Sequence, residues 1–81
     1  MNTSEYNGYK NYATWNIALW IGNDECIYLF AKEFARSHPS PRYEDLALEL
    51  HRHGIHATPD GVRTNDPTLD LSELDALLEV I

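Results

Sequence analysis

Residues 6–25 read YNGYKNYATWNIALWIGNDE, and they hold one short segment that is apolar almost all round. Asn11 is a good N-cap for a helix over this segment, and Gly22-Asn23 is a strong C-cap signal. We therefore expect a first helix that begins after Asn11 and runs to about Ile21. A helix of this kind lies at the centre of a fold or keeps one face for a partner.

The next part of the chain predicts two amphipathic helices. Asp24 is the expected N-cap of the second helix, which ends near Ser37-His38-Pro39. Ser40 is the expected N-cap of the third helix, with Pro41 at its first position and Gly54 after its end. Apolar residues recur at helical spacing in both segments, at Ile27, Phe30, Ala31 and Phe34 and then at Tyr43, Leu46, Ala47 and Leu50.

Residues 55–81 predict turns followed by a last helix. Thr58-Pro59-Asp60-Gly61-Val62 has the composition of a turn, and residues 56–58 and 62–64 are expected to pair around it as a small hairpin. Asp66-Pro67 predicts another turn. Asp70 and Glu73 have the spacing of a capping box. The last helix carries an apolar stripe of Leu71, Leu74, Leu78 and Ile81, which Leu77 widens.

Together these elements predict a mainly α fold of four short helices, with a small β-hairpin or irregular loop before the last one. The 81 residues allow one domain, 1–81, in which residues 1–10 are expected to form a loose arm. A hydrophobic content of 43% is enough to build a core. Among the aromatic residues we expect Trp20 inside, and Tyr6 and Tyr9 nearer the surface.

The net charge restricts the possible functions more than any sequence motif does. Thirteen acids against six Lys and Arg give a net charge of −7, which argues against direct binding to nucleic acid. From Asp60 onward there are six acids and one base, Arg63. This acidic end is either helix capping plus a solvated face that keeps the protein soluble, or a negative stripe that binds a basic protein surface.

Catalytic and metal-binding patterns are weak in this sequence. His51, His53 and His56 lie close together, but His51 and His53 point in different directions on a helix, and Gly54 interrupts it. Asp60, Asp66 and Asp70 lack the spacing of a calcium loop, and turn or cap roles explain them. No nucleotide-binding or nucleophile motif is present. We therefore expect no enzyme, no metal and no cofactor.

The single cysteine, Cys26, excludes an internal disulfide and fits a reducing cytoplasm. We expect it to be a buried, inert thiol within the second helix. The first ten residues lack the apolar segment of a signal peptide. The longest apolar run, residues 17–21, is too short to span a membrane, so no membrane association is expected.

The block N-G-Y-x-N-Y-x-T-W-N-x-x-L-W-I-x-N-D-E, residues 7–25, resembles the opening of a family of small uncharacterised proteins found in phages, prophages and plasmids. The T-P-D-G-V turn, Asp66-Pro67 and the leucine-rich acidic last helix resemble the end of that family. Cys26 stands where a glycine is expected. The resemblance implies a mobile-element protein in the cytoplasm of a bacterial host, and it implies no activity.

Phage proteins of this size and charge are often inhibitors of host defence, including anti-CRISPR proteins. By that analogy we expect a non-enzymatic inhibitor of a host complex, such as a type I effector, that binds its basic nucleic-acid-binding surface. The alternative is a small regulatory or adaptor module that dimerises or joins a larger complex through its apolar first helix. The protein is expected to be a monomer or homodimer. The expected partner-binding residues are Tyr6, Tyr9, Asp66, Asp70, Glu73, Asp75 and Glu79.

Overall fold

The computed structural model describes residues 6–81, which form four α-helices joined by short loops. The helices are α1 (Tyr12–Asn23), α2 (Glu25–Arg36), α3 (Tyr43–Arg52) and α4 (Leu71–Val80). The described residues are 58% helical and contain no sheet, so the predicted mainly α fold is confirmed. A Cα radius of gyration of 12.0 Å agrees with the roughly 12 Å expected for one compact domain of this length.

Side-chain caps fix the first residues of three helices. The Oδ1 atom of Asn11 accepts the Thr14 N–H at 2.9 Å, Asp24 accepts that of Ile27 at 3.0 Å, and Asp70 accepts that of Glu73 at 3.1 Å. Three of the four predicted N-caps are thus confirmed. The predicted end of α1 is wrong, because the helix continues through Gly22 to Asn23. Gly22 does not adopt the positive φ of a glycine cap, and a single extended residue, Asp24, joins α1 to α2.

The start of α3 also differs from its prediction. Ser40 does not cap this helix, which begins at Tyr43 with Arg42 as a cap residue that makes no side-chain hydrogen bond. Instead, the Tyr43 N–H donates to Oδ1 of Asp75 on α4 at 2.6 Å. A carboxylate from another helix therefore satisfies one of the free N–H groups at this helix end.

The core lies between the apolar stripes of the four helices. Trp20 is only half-buried and packs against its edge, whereas the fully buried aromatic residue is Tyr43, at 1% exposure. The Tyr43 hydroxyl donates to the Thr64 carbonyl at 2.7 Å, which ties α3 to the loop before α4. The buried apolar residues are Ile17, Ala18, Ile21, Ile27, Ala31, Phe34, Tyr43, Leu46, Leu50, Val62, Leu74 and Leu78.

Two of the turns outside the helices each carry one isolated β-bridge. The predicted hairpin is present as one β-bridge, between Ala57 and Arg63, around a turn in which Gly61 has φ +91°. Residues 6–9 form a second turn, with paired backbone hydrogen bonds between Tyr6 and Tyr9 and positive φ at Asn7 and Gly8. An Asn-Gly pair with both φ values positive is typical of a two-residue hairpin turn. Residues 6–9 of the expected arm are thus hydrogen-bonded, and residues 1–5 lie outside the described part.

Cys26 contradicts its prediction, because its side chain is exposed on α2. The buried stripe of this helix consists of Ile27, Ala31 and Phe34. Cys26 precedes Ile27 by one residue and is therefore rotated by about 100° from it around the helix axis. The prediction that Cys26 lies within the second helix is confirmed, but its side chain points away from the core.

Because the Tyr43 hydroxyl is buried, we expect the protein to lose stability in alkali. Burial raises the pKa of its hydroxyl above the ordinary value. Because the folded-state pKa is the higher one, its stabilising contribution is complete below about pH 10 and is lost above it, by about 1.4 kcal/mol per pH unit. Tyr43→Phe should cost about 1–3 kcal/mol at pH 8, since the Thr64 carbonyl loses its donor, and this difference from wild type should shrink above pH 10. Urea unfolding of wild type and Tyr43→Phe, at pH 8 and above pH 10, measures this difference in stability. A difference that is the same at both pH values would contradict the prediction.

Candidate functional site

Three aromatic rings form an exposed cluster at the start of α1. Tyr12 and Trp15 lie one helical turn apart, and the turn of residues 6–9 places Tyr6 against both. The ring centroids are 5.3 Å apart for Tyr6 and Tyr12, 4.9 Å for Tyr6 and Trp15, and 5.7 Å for Tyr12 and Trp15. Tyr6 and Tyr12 remain 41% and 44% exposed. We call Tyr6, Tyr12 and Trp15 the aromatic cluster.

A buried polar network lies beside the aromatic cluster. Asn16, only 2% exposed, donates from Nδ2 to the Asp60 carboxylate at 2.8 Å and accepts the Thr58 hydroxyl at 2.6 Å. The Tyr12 hydroxyl lies 3.5 Å from the same Nδ2 atom. The network fixes the turn of residues 58–62 against α1. It also holds the Asp60 carboxylate next to the aromatic cluster.

Several hydrogen bonds join the start of α1 to the start of α4. Asn11 Nδ2 donates to the Thr68 carbonyl at 2.7 Å, and the Asp70 N–H donates to the Thr14 hydroxyl at 2.9 Å. The predicted capping box is therefore only half formed. Glu73 accepts the Lys10 N–H at 2.9 Å instead of the Asp70 N–H. Asp70 and Glu73 are thereby held close to the turn of residues 6–9, which contains Tyr6 and Tyr9.

Two of the expected partner-binding acids are stabilised in the charged form. The Thr68 hydroxyl and N–H bond to Asp66 Oδ1 and lower the pKa of that carboxyl. The Ser72 hydroxyl, at 2.6 Å, and the Glu73 N–H lower the pKa of Asp70. Because hydrogen bonds to a carboxylate favour its ionised form, both groups carry negative charge at neutral pH.

The structure divides the remaining acids of the expected set. Asp75 and Glu73 flank opposite sides of the buried stripe of Leu74 and Leu78 on α4, and Asp75 bonds to α3. Glu79 is exposed near the end of α4. The set therefore has one group around the turn of residues 6–9 and the start of α1, with Tyr6, Tyr9, Asp70 and Glu73, and other members elsewhere. Its role in binding stays a prediction.

The three histidines of residues 51–56 contact one another and neighbouring residues of α2 and α3. His51 and His56 approach to 2.7 Å between their Nδ1 atoms, while His53 Nδ1 lies 2.9 Å from the Glu49 carbonyl. Within residues 6–81 there is no group of three or more side chains placed to hold a metal ion. Over the same residues, every buried side-chain nitrogen and oxygen has a hydrogen-bond partner.

Sequence reasoning missed Tyr12, Asn16 and Asp60 as one connected unit. The signal for it was Asn16, the main polar interruption in the apolar stretch of α1. Such a residue needs a hydrogen-bond partner when it is buried. The partners, Thr58 and Asp60, lie more than forty residues away, so local patterns could not identify them.

Comparison with known proteins gives a family and no function. A family model described as "Family of unknown function (DUF7249)" matches residues 2–80. No curated protein matches the chain, and no solved structure matches it either. Over residues 6–81, none of the helices has the length and apolar character needed to cross a membrane.

Proposed function

The chain belongs to the family of unknown function DUF7249, and we propose that it is a non-enzymatic protein that binds a basic surface of a partner protein. The partner in this proposal is a host defence complex, and the concrete form is an anti-CRISPR-like inhibitor of a type I effector. The protein would come from a phage or other mobile element and act in the bacterial cytoplasm. The observation that carries the proposal is the aromatic cluster beside the Asp60 carboxylate.

Aromatic rings next to carboxylates suit an arginine-rich partner. An Arg guanidinium gains about 0.5–2 kcal/mol over the face of a Trp or Tyr ring. The same guanidinium can bond to a carboxylate through two N–H groups. Asp60 and Tyr12 both contact Asn16, so a carboxylate and an exposed ring are held at one place.

The net charge supports inhibition by competition. Proteins bind nucleic acid with clustered Lys and Arg, and those side chains also attract an acidic protein. A charge of −7 speeds the encounter with such a surface. A bound acidic protein of 81 residues would cover the basic surface and exclude DNA or RNA from it.

The direct test is competition on a purified type I effector complex, with target DNA binding followed by gel shift. The wild-type chain should block DNA binding at stoichiometric concentrations. Tyr12→Ala and Trp15→Ala should each weaken inhibition about thirtyfold, the effect of losing one interface hot spot. The matched control is Leu29→Ala on α2, where a side chain that is 57% exposed should be dispensable. No inhibition by wild type, or equal losses in all three variants, would contradict this function.

The contribution of charge needs variants that preserve the internal hydrogen bonds. Lysine at position 73 or 75 would remove the acceptor of the Lys10 or Tyr43 N–H and disturb the fold. Glu73→Gln and Asp75→Asn keep an acceptor oxygen and remove the charge. In the same competition assay, Glu73→Gln should weaken inhibition more than Asp75→Asn, because Glu73 bonds to the Lys10 N–H, next to the turn that carries Tyr6, whereas Asp75 bonds to α3. A larger loss in Asp75→Asn than in Glu73→Gln would indicate that the binding surface lies nearer α3.

A second candidate is the adaptor module that uses the apolar first helix. Leu19, 39% exposed, follows Tyr12 and Trp15 at helical spacing, so the aromatic cluster extends along α1 as an apolar strip. Such a strip suits a permanent apolar contact. Binding that is insensitive to salt and lost in Leu19→Asp would favour this candidate over the acidic inhibitor, whose binding should weaken as salt rises.

A further inference from the structure

The outward face of α3 centres on an exposed leucine. Leu48 is 58% exposed, in contrast to the fully buried Leu46 and Leu50 on the same helix. Its neighbours one turn towards the N-terminus are Glu44 and Asp45, and one turn towards the C-terminus they are His51 and Arg52. The face is thus apolar at its centre, with two carboxylates at one end and with Arg52 and His51 at the other, where Arg52 pairs with Glu49.

Leu48 also forms a ridge between two grooves of ≈ 520 Å³ each. One groove lies towards the loop before α4, where Pro67 and Leu69 line it. The other lies towards α2, where Phe30 and Phe34 line it. Asp66 of the expected partner-binding set lines the first groove, but the aromatic cluster and Asp60 line neither, so this face is separate from the surface that carries the proposed function.

We propose that this face binds the same face of a second copy of the chain, with the two α3 helices antiparallel about a two-fold axis at Leu48. A two-fold axis there brings the residue four places before Leu48 against the residue four places after it on the other copy. Glu44 of each protomer then lies opposite Arg52 of the other, and Asp45 lies opposite His51. The two Leu48 side chains meet at the axis, each beside a groove.

The charge layout favours a second copy over a partner of one sign. A basic segment would meet Arg52 at one end of the face, and an acidic segment would meet Glu44 and Asp45 at the other. Only a surface with the reversed order of charges matches both ends, and an antiparallel copy provides it. Within one protomer, Arg42 pairs with Glu44 at 3.6 Å and Arg52 pairs with Glu49. Both ion pairs are exposed, so replacing them with ion pairs across the dimer costs little free energy.

Sedimentation equilibrium over a range of concentrations, with Cys26 kept reduced, tests the dimer. The wild type should rise from 9.3 kDa to twice that mass. Leu48→Glu should raise the dissociation constant on the order of a hundredfold, because it places a charge at the axis. Leu29→Glu is the matched control, at a leucine that is equally exposed on α2, and it should leave the dimer intact. A wild type that stays monomeric at millimolar concentration, or a dimer that survives Leu48→Glu, would overturn the proposal.

Charge reversal tests the antiparallel register itself. Glu44→Arg alone and Arg52→Glu alone should each weaken the dimer about tenfold, because each sets two like-charged pairs in contact. The double variant should regain the wild-type affinity. The two single variants mixed together should form a heterodimer, since both contacts then join opposite charges. Circular dichroism verifies that all variants fold. If the double variant does not regain the wild-type affinity and the mixture forms no heterodimer, this register is excluded.

Discussion

Replacing Leu50 by alanine is expected to lower the free energy of unfolding by about 2–5 kcal/mol, whereas Leu48→Ala should change it by less than about 0.5 kcal/mol. The two leucines lie two residues apart on α3, so they share the same helix and the same intrinsic propensity. They differ in burial, since Leu50 is 0% exposed and Leu48 is 58% exposed. Only Leu50→Ala leaves a cavity in the core.

The loss of unfolding free energy expected for Leu50→Ala is large compared with the total stability of this chain. A domain of 81 residues has a free energy of unfolding of about 4–12 kcal/mol. Urea unfolding at several protein concentrations measures both variants, because any contribution from a dimer through Leu48 would change with concentration. Equal effects of the two substitutions would mean that α3 does not pack as described.

Asn16→Asp is expected to destabilise the protein by about 3 kcal/mol at pH 7 and much less near pH 4. The substitution places a second carboxylate where the Asn16 amide now lies 2.8 Å from Asp60 Oδ2. Two close carboxylates raise the pKa of one of them. A folded-state pKa above the unfolded value of about 3.9 means that stability is present at low pH and lost as pH rises. A rise of about two pKa units corresponds to the 3 kcal/mol.

The double variant Asn16→Asp with Asp60→Asn separates repulsion from a loss of packing. It restores one amide and one carboxylate in reversed positions, so most of the lost stability should return at pH 7. Asp60→Asn alone is the control, and it should show no recovery of stability on acidification. Thermal unfolding at pH 4 and pH 7 measures all three variants. A double variant no more stable than Asn16→Asp would contradict the hydrogen bond between Asn16 and Asp60.

The starts of three of the four helices followed from local features of the sequence. Asn11, Asp24 and Asp70 cap helices because a side-chain oxygen reaches an N–H group three residues ahead, and this needs no other part of the chain. The apolar stripe of α2 and the turn at Gly61 are equally local, since helical spacing and backbone freedom determine them. These features were predictable for that reason.

The candidate surfaces depended on contacts between distant residues. Asp75 was predicted as part of an acidic stripe, but it bonds to the Tyr43 N–H, and this contact replaces the expected Ser40 cap. Glu73 was expected to complete a capping box, but it accepts the Lys10 N–H. A carboxylate bonds to whichever N–H group the fold places beside it, and the spacing of residues along the chain does not reveal that neighbour.

By itself the sequence determined a mainly α chain, the N-caps of α1, α2 and α4, the turns at Gly61 and at Asp66-Pro67, and the residues that form the apolar stripes. The tertiary structure decided where α3 begins, and that Tyr12, Asn16 and Asp60 adjoin. The physical reason is the range of the interactions. Caps and helical periodicity act over three or four residues, whereas the bonds from Asn16 to Asp60 and from Tyr43 to Asp75 span 44 and 32 residues and exist only once the helices have packed.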